Sequence, residues 1–255
     1  GVRESCDVHF YELSMKVGMD RIAAMARRLG LGEDSGIDIA GERAGVVPTP
    51  DWKRAVIGQP WTGGETLVAG IGQGYVLATP LQLAVMASRI ASGRAVRPHL
   101  ARDVFEGEAV RARPDADFPE LDLKESWLKN ARRAMDQVVN HNKGTARGSR
   151  LLESAWTMAG KTGTSQVRRI SKAERDSGVL KNEDLDWLKR DHALFIAFAP
   201  VESPRYAVSV VVEHGGSGSG AAAPVARDIM LELEKREMQL AAGEWPVQLA
   251  RAGDG

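Results

Sequence analysis

Residues 159–167 read AGKTGTSQV, and the chemistry of Lys161-Thr162-Gly163-Thr164 decides how the rest of the chain is understood. Small and β-branched residues in this order suit a strand. On a strand Lys161 and Gly163 project to one side and Thr162 and Thr164 to the other, unless the edge twists. Backbone N–H groups then point sideways into whatever cleft the edge borders. A lysine, two hydroxyls and a side-chain-free glycine on such an edge suit the holding of a carboxylate beside an acyl group. Lys161 supplies positive potential, Thr162 and Thr164 the hydroxyls, Gly163 the room for close approach. The N–H of Thr164 is a candidate donor to an oxyanion.

Working outward, residues 156–167, 192–199 and 206–213 read as three strands, the last rich in valine, with residues 200–205 as a hairpin loop between the second and third. The charged stretch 168–191 is too long for a tight turn and reads as a solvated surface excursion with a helical turn of its own. After a Gly/Ser run, Pro224 is expected to open a final helix with Val225, Ile229 and Leu233 on its apolar stripe.

Upstream the text is helical. Residues 8–17 read as one helix; a second, capped by Asp20, carries Ile22, Met25, Ala26 and Leu29 and ends at Gly30. Residues 36–64, dense in Pro, Gly, Thr and Trp, read as ordered irregular loop that packs on another part of the molecule through its own Trp52 and Trp61. Thr79-Pro80 starts a buried helix by supplying a cap and a first-position proline. Residues 96–123 read as two short strands in an insertion. A further amphipathic helix shows Trp127, Leu128, Ala131, Met135 and Val138 along one stripe. Helices first, then antiparallel strands with a covering carboxy-terminal helix, give the α+β class.

Composition excludes little and recruits nothing. Thirty-four basic and 34 acidic residues cancel across the 255-residue chain, so bulk charge draws in neither nucleic acid nor anionic lipid. No apolar run approaches the roughly 18 residues of a membrane span. Gly70-Ile71-Gly72-Gln73-Gly74-Tyr75 misses the dinucleotide-binding pattern at its last position and reads as a tight turn before the buried helix.

Ser5-Cys6-Asp7, at the head of a helix, would alone be a helix cap. It stands 156 residues ahead of Lys161, and serine β-lactamases and penicillin-binding proteins carry three elements in order: S-x-x-K, a Ser-Asp-Asn type triplet, then K-T-G. With SCDVHFYEL, SGIDIAGERAG, PTPDWK, GIGQGYVLATPLQL, NKGTA, AGKTGTSQV, DHALFIAFAP and VVVEHGG in succession, the chain resembles the carboxy-terminal part of a class B penicillin-binding protein, nearest the penicillin-binding protein 2 subfamily.

That resemblance implies the penicillin-binding and serine β-lactamase-like transpeptidase fold. Residues 1–240 would form the carboxy-terminal portion of one transpeptidase domain: 1–155 mostly helical, 156–240 strands plus a final helix, and 241–255 a flexible tail. It implies a serine acyl-enzyme acting on D-Ala-D-Ala stem peptides, with β-lactam antibiotics as pseudo-substrates and a membrane glycosyltransferase of the elongation machinery as partner. The periplasmic side of the inner membrane is the implied location. Ser5 and Lys161 would be catalytic, and Asp7, Thr162, Gly163 and Thr164 substrate-binding. The chain starts at Gly1, so the S-x-x-K segment and any anchor are expected upstream, and these residues alone are expected to be inactive. Ser126-Trp127-Leu128-Lys129 matches S-x-x-K but falls between the other two motifs instead of ahead of them, and reads as ordinary packing. Asp7 stands where asparagine is usual. An ionised carboxylate accepts but cannot donate, so it needs a proton or a nearby cation. Cys6 reads as a buried inert thiol or, by resemblance, as a zinc ligand with partners upstream; no other cofactor is implied. A D,D-carboxypeptidase or β-lactamase, and a non-catalytic β-lactam-binding or scaffold module, are the competing readings.

Overall fold

The computed structural model describes residues 1–101, 103–106, 109–112, 118–168, 170 and 172–243. Most of the expected tail, 244–255, lies outside the described residues. A 3₁₀ turn at Val2–Glu4 leads into α1 (Asp7–Val17) and α2 (Met19–Arg28), followed by α3 (Pro50–Ile57), α4 (Gly63–Ala69) and α5 (Pro80–Ser92). The antiparallel pair β1 (Asp103–Glu106) and β2 (Ala109–Ala112) fills the place of the two expected short strands. Then come α6 (Glu125–Asn140), β3 (Ala159–Ser165), α7 (Lys172–Ser177), β4 (His192–Ala199), β5 (Tyr206–Val212) and α8 (Ala223–Ala241). The architecture is α+β. No helix among the described residues is long and apolar enough to cross a membrane.

The sheet runs β3-β4-β5, antiparallel throughout, with Ala159 opposite Phe198, Ser165 opposite His192 and Ala199 opposite Tyr206. β4 is the buried centre, and its two faces separate by alternation. Ala193, Phe195, Ala197 and Ala199 join the cluster that includes Ala223, Ala226 and Met230 of α8, whereas Ile196 and Phe198 join Ile90, Ala91 and Met135 from α5 and α6. β3 is left as an edge strand. Its approach is pinned by Glu234 of α8, a buried carboxylate that accepts from the N–H of Ala155 at 2.8 Å, the N–H of Trp156 at 3.2 Å and the Ser154 hydroxyl at 2.5 Å. Charge-assisted bonds of this kind are about twice as strong as neutral ones.

Four expectations change. Residues 36–64 hold α3 and the start of α4 instead of irregular loop alone, because Thr49-Pro50 opens a helix by the same chemistry as Thr79-Pro80. The Thr49 hydroxyl accepts from the Trp52 N–H at 3.1 Å, and a proline at the first position gives up an N–H that would be unpaired anyway. Thr62 and Glu65 cap α4 reciprocally. The cap of α2 is Gly18, with Asp20 inside the first turn. Trp127 is 54% exposed, with Lys124 over its ring, so the packed face of α6 is Leu128, Met135, Val138 and Val139. On α8 the buried face is Ala223, Ala226, Met230 and Glu234; Val225 and Ile229 are exposed and only Leu233 of the expected stripe packs inward. Small side chains let α8 lie close on the sheet, which outweighs the bulk of Val225 and Ile229. The segment 168–191 contains α7 and two 3₁₀ turns, and Arg168 pairs with Glu174 at 2.7 Å.

Gly160 shows how tightly β3 lies on its neighbour. A β-carbon there would run into the ring of Phe195 and the carbonyl of Ile196. Gly160→Ala is therefore expected to lower stability by roughly 1–3 kcal/mol through overpacking. Urea unfolding checks it, and an unchanged midpoint would contradict the packing described.

Candidate active site

Ser5 follows the 3₁₀ turn in a left-handed conformation, φ 48° and ψ 50°, a region sparsely used by residues other than glycine. Its N–H donates to Val2 O at 3.2 Å and that of Cys6 to Gly1 O at 3.1 Å, which fixes the bend. The cap of α1 is Cys6, with no side-chain capping bond, so the Ser5 hydroxyl is not consumed by the helix. It is instead met from across the chain. Lys161 Nζ on β3 donates to Ser5 Oγ, joining the two motifs that lie 156 residues apart. The same ammonium donates to Thr162 O at 2.7 Å and reaches Thr162 Oγ1 at 3.4 Å.

The free edge of β3 is organised around these bonds. Gln73 Nε2 donates to Thr164 O at 2.6 Å. Thr162 O is bound by the side chain of Lys161 on the same strand and Thr164 O by Gln73 from outside the sheet, so residues 162 and 164 turn their backbone groups away from β4. The N–H of Thr164 thus faces the same edge. Thr164 is exposed, while Lys161, Thr162 and Gly163 are half-buried. A β-carbon on Gly163 would meet only Leu194, 3.3 Å away on β4, so the side to which it would project has room for a ligand, while Gly218 packs against the Gly163 backbone.

Burial pushes the Lys161 pKa below the ordinary lysine value of 10.5, and the negative charge of Asp7 works in the opposite direction. Asp7 is exposed in the first turn of α1. Lys161 is thus a cation whose charge interacts with that of Asp7. A lysine whose ammonium form is weakened by burial, hydrogen-bonded to a serine hydroxyl, is suited to passing a proton through that hydroxyl.

Three findings lie beyond the sequence reading. Gln73, in what was read as a simple turn, is a clamp on the motif strand. Thr145 of the NKGTA stretch shares a hydrogen bond with Thr162, Oγ1 to Oγ1 at 2.9 Å, and its N–H donates to Arg3 O at 3.3 Å. Cys6 is exposed, not buried, because α1 turns the residue ahead of its first turn outward. Among the described residues no group of three or more His, Cys, Asp or Glu could hold a metal, so Cys6 has no donor set around it here. Ser126 and Lys129 are exposed at the start of α6. Asn140, at the far end of that helix, bonds Met158 O beside β3 at 3.0 Å. At 1.5 Å per residue Ser126 lies roughly 20 Å along the axis from this end.

A family model for the penicillin-binding protein transpeptidase domain matches residues 1–231. The chain belongs to this family. Peptidoglycan D,D-transpeptidase MrdA of Haemophilus influenzae is 35% identical over 252 residues, which is 97% of this chain and 38% of that relative. Among solved structures, PBP2 of Helicobacter pylori in complex with MreC superposes with a TM-score of 0.75 at 32% identity, covering 92% of this chain and 40% of that one. PBP2 of Pseudomonas aeruginosa, in complex with WCK 5153, gives 0.73 at 39% identity, covering 90% and 45%. The chain thus spans about two fifths of the curated relative's length.

The lowered pKa of Lys161 carries a stability signature. Between its folded-state value and 10.5 the unfolded chain holds a proton that the folded chain has released, so stability rises with pH through that window. Relative to Lys161→Met, the native chain should gain stability as pH is raised towards 10.5 and gain no more above it. Urea titrations of the pair across this range test it, and a pH-independent difference would contradict a desolvated Lys161.

Proposed function

We propose that this chain supplies two walls of the acyl-transfer site of a peptidoglycan D,D-transpeptidase of cell elongation. One wall is the Ser5 turn and the other is the β3 edge. The observation that carries the reading is the Lys161 to Ser5 hydrogen bond, which brings the second and third motifs of the family together at a free strand edge. The nucleophilic serine and its lysine are assigned to residues outside these 255, since Ser126 lies at the wrong end of α6.

In the complete enzyme that serine attacks the carbonyl of the D-Ala-D-Ala bond. A C–O bond forms, the C–N bond breaks, and D-alanine leaves with a proton on its amine. Lys161 and Ser5 relay that proton near the leaving nitrogen. Thr162 and Thr164 hold the terminal carboxylate, whose charge Lys161 complements, and the Thr164 N–H donates to the developing oxyanion. Asp7 tunes Lys161. An amine of a second stem peptide then displaces the serine and completes the cross-link. β-Lactams enter the same site and acylate the same serine. A membrane glycosyltransferase and a place on the periplasmic side of the inner membrane are part of this proposal, supported by the structural likeness to penicillin-binding protein 2. A zinc ion held through Cys6 is not part of it.

Labelling of the full protein with a fluorescent penicillin tests the reading. Ser5→Ala and Lys161→Ala should each slow acylation about 10²-fold or more, the usual cost of losing a proton-transfer or charge-stabilising group. Ser126→Ala should acylate like the native protein, residues 1–255 alone should not be labelled, and the labelled peptide should lie outside this chain. A label on the Ser126 peptide, or full rates in the Ser5 and Lys161 variants, would overturn it.

A further inference from the structure

The hydroxyl of Thr162 has one hydrogen, and the direction in which that hydrogen points decides what the motif can bind. To hold a carboxylate, Thr162 must donate to it. Two groups flank Thr162 Oγ1: Lys161 Nζ at 3.4 Å, which as an ammonium only donates, and Thr145 Oγ1 at 2.9 Å, which can do either. If Thr162 gave its hydrogen to Thr145, it would face the carboxylate with lone pairs. If Thr145 donates, the hydrogen of Thr162 is free for the ligand, and the chain of hydroxyls is polarised towards the negative charge.

Thr145 is held in place to do this. Its N–H donates to Arg3 O at 3.3 Å, two residues ahead of Ser5. Ala146 after it is buried in the main core cluster, with its N–H on Val138 O at 2.9 Å. Before it, a β-carbon on Gly144 would run into the carbonyls of Gln137 and Val138, so the chain passes directly over the end of α6 with no slack. Through its backbone Thr145 therefore touches the segment of one motif, and through its hydroxyl it touches the other.

We infer that Thr145 is a positioning residue that orients the Thr162 hydroxyl towards the substrate's terminal carboxylate and so sets the requirement for a free carboxyl terminus. This rests on the transpeptidase reading above. Thr145→Val keeps the shape and removes the hydroxyl, while Thr145→Ser keeps the hydroxyl.

In the full protein, calorimetric titration with N-acetyl-D-alanyl-D-alanine and with its carboxy-terminal amide measures the preference for the free acid. Intact mass after incubation with the acid counts the acyl adduct. The native protein should prefer the acid. Thr145→Val should lose about tenfold of that preference, the size of one hydrogen bond, and bind the amide as the native protein does, while Thr145→Ser should restore it. Absence of any acid preference in the native protein, a preference unmoved in Thr145→Val, or an equal weakening of both ligands would overturn the inference, the last by making Thr145 a packing residue. Acid preference that falls in Thr145→Val, in a protein that never forms an adduct, would support it while overturning the transpeptidase reading. Normal adduct formation with preference unmoved by Thr145→Val would do the reverse.

Discussion

The hydrogen bond from Lys161 to Ser5 is the constraint on which the site depends. It joins Lys161, whose strand β3 is paired with β4, to a bend 156 residues earlier in the sequence. Ser5 sits in a left-handed bend between the 3₁₀ turn and α1, and among the described residues β3 pairs with a strand on one side only. Each is steadied by the other. The cost is a half-buried ammonium, offset by three acceptors and by the charge of Asp7.

Much of the remaining fold serves to hold that edge at a fixed height. Phe195 fills the space left by Gly160, Glu234 anchors the residues before β3, and Gln73 closes the carbonyl of Thr164 at its far end. These supports come from β4, α8 and the turn after α4, so the strand is gripped around its start and near its end by three separate parts of the chain. Pre-organisation of this kind lets donors face a developing charge without rearranging at the moment of reaction.

Ser5 and Lys161 stand out in the sequence through the order of their motifs and the resemblance they complete, since a Ser ahead of a helix would alone be a cap. β4 is legible to its last residue from its apolar run. Thr145 and Gln73 are not, since their partners lie 17 and 91 residues away and nothing local distinguishes a binding Thr or Gln from a surface one. The helix at residue 50 is hidden in the sequence because Pro48 and Pro50 signal a break, although Thr49 between them is a cap. The packed face of α8 is hidden for a different reason. Alanines that permit close packing carry little hydrophobic signal, whereas the exposed Val225 and Ile229 carry much. Cys6 went wrong because a lone cysteine's usual burial says nothing of a residue forced outward by a helix start.

A double-mutant cycle on Ser5→Ala and Lys161→Met, read as unfolding free energy, tests the central contact most directly. If the two side chains hold the motifs together, the cycle should show a coupling of between about 0.5 and 3 kcal/mol, as for residues sharing a hydrogen-bond network. Strictly additive effects, as found for sites with no shared partners, would contradict the account.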